Sequence, residues 1–243
     1  MVGTKVKRFK LIPIWNGITL SKSDFLSTLI RPFGLFFFSL YIVILNLPFY
    51  IRRPALFRFN LFLWVHYTTQ YSTARHKFEK SRISKDPIEL TYGEIPYSSL
   101  DTAFKIIKPT PGMTFYDLGS GHGKTLMFSH LFYQLNCIGI ELIPTYVKTF
   151  NQFFKKNNLV PIPVIHDDLF SVDFSDADII FLAWTCMGER SSRQIIEKLN
   201  HLKSGSFVLT TSAPIFSQEF TLVKELIVPF SWGFGHLYIQ KKC

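Results

Sequence analysis

A chain of 243 residues, 47% of them hydrophobic, is long enough for one well-cored domain and an extension. Its formal charge of +10 is concentrated: residues 1–90 carry 14 Lys and Arg against 4 Asp and Glu, whereas residues 91–243 carry 13 against 13. The first segment therefore expects an anionic partner, a lipid headgroup surface or nucleic acid, and the remainder reads as a neutral globular domain. Cys137, Cys186 and Cys243 form no Cys-x-x-Cys pair, which speaks against a disulfide framework or a zinc site and for a reducing compartment. Seven scattered His residues show no ligand-like spacing, so no metal is expected.

In chain order, the first element is Phe33–Ile51, 19 residues without a charge between Arg31-Pro32 and Arg52-Arg53. It just reaches the length of roughly 20 apolar residues that crosses a bilayer, and no small-residue cleavage site follows it. Six Lys and Arg precede it (5, 7, 8, 10, 22 and 31), and basic flanks prefer the cytoplasmic side, the side also expected for the neutral globular domain after it. Two arrangements reconcile these demands. One is a hairpin returning through Phe57–Tyr71; the other is an element lying in the interface with its basic residues on anionic headgroups. Pro48 argues for an interrupted segment. A buried helix packed on the catalytic domain is the alternative to membrane attachment. Residues 1–88 are thus read as an apolar, basic, helical extension on the cytoplasmic face of a membrane, and 89–243 as the catalytic domain.

From Pro111 onward short apolar runs alternate with longer amphipathic ones, the pattern of β-α-β units. Strands are expected at Thr114–Asp117, Cys137–Glu141, Pro163–His166, Ile179–Ala183, Ser206–Thr211, Thr221–Val228 and Gly235–Lys241. Helices are expected at Ser98–Ile107, Gly123–Gln134, Thr145–Asn158 and Ser191–Asn200. The result is an α/β fold, a Rossmann-like seven-stranded and mostly parallel sheet with helices on both faces. The last two strands lack a helix between them, which implies an antiparallel ending.

The sharpest signal is Asp117-Leu-Gly-Ser-Gly-His-Gly123, where a strand runs through three alternating glycines into a helix. Glycine lets the chain turn sharply and lets a ligand approach the backbone of Gly119, Ser120, Gly121 and Gly123 where a Cβ would collide. The spacing is G-x-G-x-G. A dinucleotide loop would place a small residue at Lys124, and an acid two residues before the first glycine would repel a pyrophosphate. Asp117 instead suits a ligand carrying a sulfonium and an ammonium. Glu141, 20 residues after Gly121 at the end of the second strand, is placed to accept the two hydroxyls of a ribose. After the third strand, Asp167 or Asp168 offers a carboxylate to an adenine amino group, and Leu169 and Phe170 offer apolar faces to its ring.

These residues resemble the class I S-adenosylmethionine-dependent methyltransferases over residues 90–243. Within that superfamily Tyr92-Gly93-Glu94, Asp117–Lys124, Gly139-Ile-Glu141-Leu and Asp168-Leu-Phe170 are most similar to two lysine-modifying branches. These are the non-SET histone-lysine methyltransferases and the membrane-linked enzymes of the ATP-synthase c-subunit type. The resemblance implies S-adenosylmethionine as cofactor and Tyr92, Glu94 and Pro96 as a lid over it, with Glu94 chemically suited to the donor's ammonium. Ala183-Trp-Thr-Cys-Met187 departs from the asparagine-rich segment of the histone branch, and no Asn-Pro-Pro-Tyr or Asp-Pro-Pro-Tyr quartet is present, which disfavours a DNA base as acceptor.

Methyl transfer from a sulfonium is an in-line displacement, so alignment and exclusion of water are the main demands. A lysine acceptor must also lose a proton, which an apolar channel favours. Trp184, Phe170 and Tyr97 are the candidates for such a channel, with Thr185 accepting a hydrogen bond from the amine. The leading expectation is a protein-lysine methyltransferase at or near a membrane. The others are a methyltransferase for a lipid or quinone-like molecule and a non-catalytic membrane-associated module that binds the donor. Interleaving of the basic residues with long apolar runs favours lipid over nucleic acid as the anionic partner.

Overall fold

A computed structural model describes residues 22–69, 92–185 and 187–243. Helices α1 (Lys22–Arg52) and α2 (Pro54–Thr69) come first, then α3 (Tyr97–Ile107), β1 (Thr114–Leu118), α4 (Lys124–Tyr133), β2 (Asn136–Glu141) and α5 (Pro144–Lys156). The chain continues with β3 (Val164–His166), β4 (Ile179–Leu182), α6 (Glu189–Leu199), β5 (Phe207–Thr211), β6 (Phe220–Phe230) and β7 (Gly233–Lys242). All seven strands join one sheet in the order β3-β2-β1-β4-β5-β7-β6. Neighbours from β3 to β5 are parallel, and β7 runs antiparallel to both β5 and β6. This is the sheet read from the sequence, antiparallel ending included.

Successive residues of a strand face opposite sides, and here each side has its own core. Phe115, Ile179 and Phe181 join Leu100, Phe104, Phe128 and Phe150 from α3, α4 and α5 on one face. Tyr116, Leu118, Ile180 and Leu182 join Ile195 and Leu199 from α6 on the other. Leu100, Ala103, Phe104 and Ile107 recur at helical spacing, which is why α3 presents one apolar stripe to the sheet. The expected helix at 123–134 is shorter by one residue at each end. Gly123 (φ 74°) and Gln134 (φ 53°) are left-handed and lie outside the α-helical region.

The chain divides into two compact units, residues 1–40 and 41–243. In the second, the later part of α1 and all of α2 pack on the α4 and α5 face. Phe49 meets Phe128 and Phe132 edge-on at 5.4 Å, and Phe59 meets Phe153 at 4.9 Å. Such pairs add roughly 0.5–1.5 kcal/mol each beyond the area they bury. The packing therefore places residues 41–69 with the sheet, whereas the sequence suggested a boundary at 88/89, which lies outside the described residues. The basic Lys5, Lys7, Arg8 and Lys10, and Tyr71 of the expected return run, also lie outside them.

Pro48 does not interrupt α1 as expected. It sits on the exposed side, as does Ile44, whose carbonyl it leaves without an amide partner. The break comes at Arg53, which is kept out of the helix by the proline after it; Pro54 then opens α2 at a position where no amide is needed. Among the described residues no helix is long and apolar enough to cross a membrane, so the spanning and hairpin arrangements find no support there. The same part of α1 is nevertheless apolar on its solvent side. Ile42, Asn46, Phe49 and Tyr50 face the protein, while Val43, Ile44, Leu47 and Ile51 are exposed.

Candidate active site

The floor of the site is the loop between β1 and α4. Gly119 (φ 84°) and Gly121 (φ 51°) take left-handed conformations that side chains disfavour. Around a Cβ placed on Gly119 there is open space, whereas one on Gly121 would stand 2.6 Å from the Tyr92 ring. The loop is fixed to the end of β2. Gly119 and Ser120 amides donate to the Ile140 carbonyl at 2.8 and 2.9 Å, and the Gly121 amide donates to Glu141 Oε2 at 2.7 Å. Glu141 Oε1 accepts from the Ile143 amide at 2.7 Å. Burial raises the Glu141 pKa against those backbone bonds. A carboxylate has about four acceptor positions, so Glu141 retains capacity for hydroxyl donors.

Asp117 is buried at the end of β1 and accepts a hydrogen bond from Thr125 Oγ1 in the first turn of α4. Burial, opposed by that bond and reinforced by the nearby Glu141 charge, pushes its pKa up to about 7. Such a carboxyl is at the threshold of ionisation and gains most from a cation beside it.

The roof comes from two distant segments. The Tyr92–Glu94 strip crosses the glycine loop, with the Tyr92 ring 4.3 Å from His122 and 5.5 Å from Tyr146. The tip of the β6–β7 hairpin closes on it: the Glu94 amide donates to Ser231 Oγ and the Ser231 amide donates to the Glu94 carbonyl, each at 2.9 Å. The Trp232 indole lies where a Cβ on Gly93 would be, only 2.2 Å away, and stacks on Phe230 at 4.7 Å. Glu94 receives the Tyr92 hydroxyl at 2.6 Å on Oε1 and Lys124 Nζ at 2.6 Å on Oε2. Burial alone would raise its pKa, but His122, Lys124 and Tyr92 together outweigh it and hold the carboxyl at about 2. Burial lowers His122, and burial with the Glu94 charge raises Tyr92.

Between floor and roof lies an open pocket of about 440 Å³, solvent at its mouth included. Its lining includes the charged Asp117, Glu94 and Lys124 and the neutral Phe181, Ala183, Thr211, Phe230 and Trp232. Ser120 Oγ, buried and without a hydrogen-bond partner, belongs to the same lining. The open Gly119 cradle and the cation-seeking Asp117 fit the amino-acid and sulfonium part of S-adenosylmethionine.

Of the residues singled out in the sequence, Tyr92, Glu94, Asp117, Gly119 and Ser120 line this pocket. Gly121 and Gly123 shape its floor, and Glu141 stands behind Gly121. Asp167, Asp168 and Leu169 follow β3 next to Glu141, since His166 pairs with Glu141 in the sheet. They do not line the pocket: Asp167 accepts the Asp168 amide, and Asp168 accepts the Phe170 amide. The proposed acceptor channel is not assembled. Trp184 continues the alternation of Ile180 and Leu182, so it enters the core on the far side of the sheet, with Nε1 donating to Ser192 Oγ at 3.1 Å. Phe170 packs against that same core. Tyr97 is buried on the near side, stacked on Phe128, its hydroxyl accepting from Asn60 Nδ2 at 2.6 Å. Thr185 is exposed beside the pocket, its hydroxyl 3.1 Å from that of Thr211; Cys186 lies outside the described residues. Lys124, Thr125, Phe181, Thr211, Phe230 and Trp232 were not anticipated. Position explains the first two, which open the helix after the glycines, and alternation with Ile180 and Leu182 marks Phe181; nothing local marks the last three.

A 3-2-1-4-5-7-6 sheet with a glycine loop and a buried carboxylate at the end of its first strand has the architecture of the class I S-adenosylmethionine-dependent methyltransferases. The family model of DOT1, histone methylation protein, matches residues 77–225, and the chain belongs to that family. No curated protein matches it in sequence. Among solved structures, TrmN from Thermus thermophilus is similar at 14% identity and a TM-score of 0.54, over 65% of this chain and 52% of that one. An RNA methyltransferase from Salinibacter ruber, in complex with S-adenosyl-L-homocysteine, is similar at 20% identity and a TM-score of 0.50, over 60% and 90%. At these identities the likeness is one of fold, and the chain spans little more than half the length of TrmN.

Proposed function

We propose that the protein transfers the methyl group to a lysine side chain of a protein held at or near an anionic membrane surface. The supporting observation is the neutral part of the pocket lining, to which Phe181, Ala183, Thr211, Phe230 and Trp232 belong. A lysine ammonium entering such a wall loses its hydration and is driven toward the neutral amine that attacks a methyl carbon. Trp232, stacked on the buried Phe230, offers its exposed ring to the incoming cation before it deprotonates. Thr211, backed by Thr185 and Ser212, accepts a hydrogen bond from the amine. Bound S-adenosylmethionine supplies an activated methyl group; the chain's own task is to align the acceptor and exclude water. The family's histone methylation is consistent with a protein acceptor.

The membrane part of the proposal rests on α1 and α2. Residues 34–69 contain no Asp or Glu and three Arg (52, 53 and 58). Val43, Ile44, Leu47 and Ile51 of α1 and Phe57, Leu61, Trp64 and Val65 of α2 are exposed. An apolar helix face with cationic residues at its edge suits the headgroup layer of an anionic leaflet. One observation favours a second reading, an apolar small molecule as acceptor. An open pocket of about 290 Å³, solvent at its mouth included, lies between α1, α2 and the roof, lined by Ile42, Asn46, Tyr50, Asn60 and Tyr97 among others, and it reaches Glu94 and Lys124.

Incubating a detergent-solubilised lysate with the purified protein and labelled donor decides between them. Label in protein, reduced by Thr211→Val, is the expected result; label confined to the lipid extract overturns the lysine reading and leaves the second. Tight donor binding without any labelling would make the protein a non-catalytic donor-binding module.

A further inference from the structure

Glu94 and Lys124 line both the donor pocket and the pocket behind the roof, and their ion pair ties the roof to the first residue of α4. The two side chains remain accessible, 28% and 25% exposed. The oxygens of Glu94 are used differently. Oε1 is held by the Tyr92 hydroxyl, with His122 Nδ1 3.6 Å away, while Oε2 faces Lys124 Nζ at 2.6 Å. Lys124 opens a ten-residue helix, whose N-terminal dipole adds to the positive potential at its ammonium.

The amino-acid end of the donor is a zwitterion, and its ammonium has acidic partners in Asp117 and Glu94. Its carboxylate would enter beside those same two acids, and Lys124 is the one cationic side chain in the described lining. An ion brought into such a pocket without a partner is costly. We propose that Lys124 receives the donor's carboxylate, exchanging its ion pair with Glu94 for the two ends of the donor. Lys124 turns to the carboxylate and Glu94 Oε2 takes the ammonium, so one ion pair opens and two close. Before the donor arrives, each residue shields the other's charge and holds the roof down. Once the donor is bound, the link from roof to α4 runs through the ligand. The swap selects for the intact amino-acid tail and against nucleoside thioethers that lack its carboxylate.

Calorimetric titration of the full chain with S-adenosylhomocysteine and with its decarboxylated counterpart tests this without any turnover. The wild type is expected to bind the carboxylate-bearing ligand at least about 30-fold more tightly. Lys124→Met is expected to reduce that preference to less than about threefold, by weakening the first ligand and leaving the second unchanged or tighter. Lys124→Arg should retain most of the preference. Equal weakening of both ligands would make Lys124 merely structural, and an unchanged ratio would remove it from recognition; either overturns the proposal. Should Lys124→Met fail to fold, Lys124→Gln is read by the same ratio, with an unchanged preference counting against the swap.

Discussion

Floor and roof of the donor pocket are built in opposite ways. The floor is local: Tyr116 to Thr125 form strand, turn and helix start, pinned by Glu141 from the neighbouring strand. The roof joins Glu94 to Ser231, 137 residues away, through two hydrogen bonds and one indole. A floor of this kind is preformed whenever the sheet is, whereas the roof depends on a hairpin tip with Trp232 46% exposed. The difference assigns binding strength to the floor and exchange rate to the roof.

The largest test of that division is Gly121→Val, which strains a left-handed backbone and drives a side chain into Tyr92. Strain of ~1–3 kcal/mol, with the roof displaced as well, should weaken donor binding by about 100-fold in calorimetry. Comparable affinity in the variant would show that floor and roof are not in register.

Asp117→Asn comes next, with a loss of about 30-fold, because charge-assisted hydrogen bonds contribute ~1.5–3 kcal/mol. Its pH signature is more telling. With a folded pKa of about 7 against an ordinary 3.8, Asp117 favours the fold while protonated, and that contribution fades as pH rises from about 4 through about 7. A bound cation prefers the carboxylate, so donor affinity moves the other way. It should tighten over this window, below the donor's own ammonium titration near about 8. The Asn variant should show a flat profile there, and a wild-type affinity that weakens as pH rises would refute the assignment.

Trp232→Ala addresses the roof. Donor release by stopped flow should quicken about fivefold with a smaller change in the association rate, since few contacts hold the hairpin to Gly93 and most affinity changes appear in dissociation. Smallest is Trp184→Phe. It gives up the bond to Ser192 and ~1 kcal/mol of stability while leaving donor and acceptor KM unchanged. A raised acceptor KM would restore Trp184 to the channel.

What the sequence revealed follows the same line. Every strand and the four helices around the sheet were legible, because period 2 and period 3.6 are properties of neighbours. The donor floor was legible because its glycines, Asp117 and Glu141 fall in two short runs. Trp184 was misplaced although the information was present. Counting by twos from Ile180 and Leu182 sends it to the α6 side, and Phe181 and Ala183 to the pocket. Trp232, Phe230 and Thr211 were not legible, since only the folded sheet brings them to one pocket. Pro48 misled because a proline's cost depends on whether the carbonyl it orphans is buried.

The aromatic seam between Phe49, Phe59 and the α4–α5 pair bears on how the chain is made. During synthesis α1 and α2 emerge first, yet the rings that cover them, Phe128, Phe150 and Phe153, are translated some 70 to 100 residues later. At about 5–20 residues per second these two oily helices spend several seconds with nothing of their own to lean on. A chain cut at residue 88 would strip the finished sheet of that cover for good.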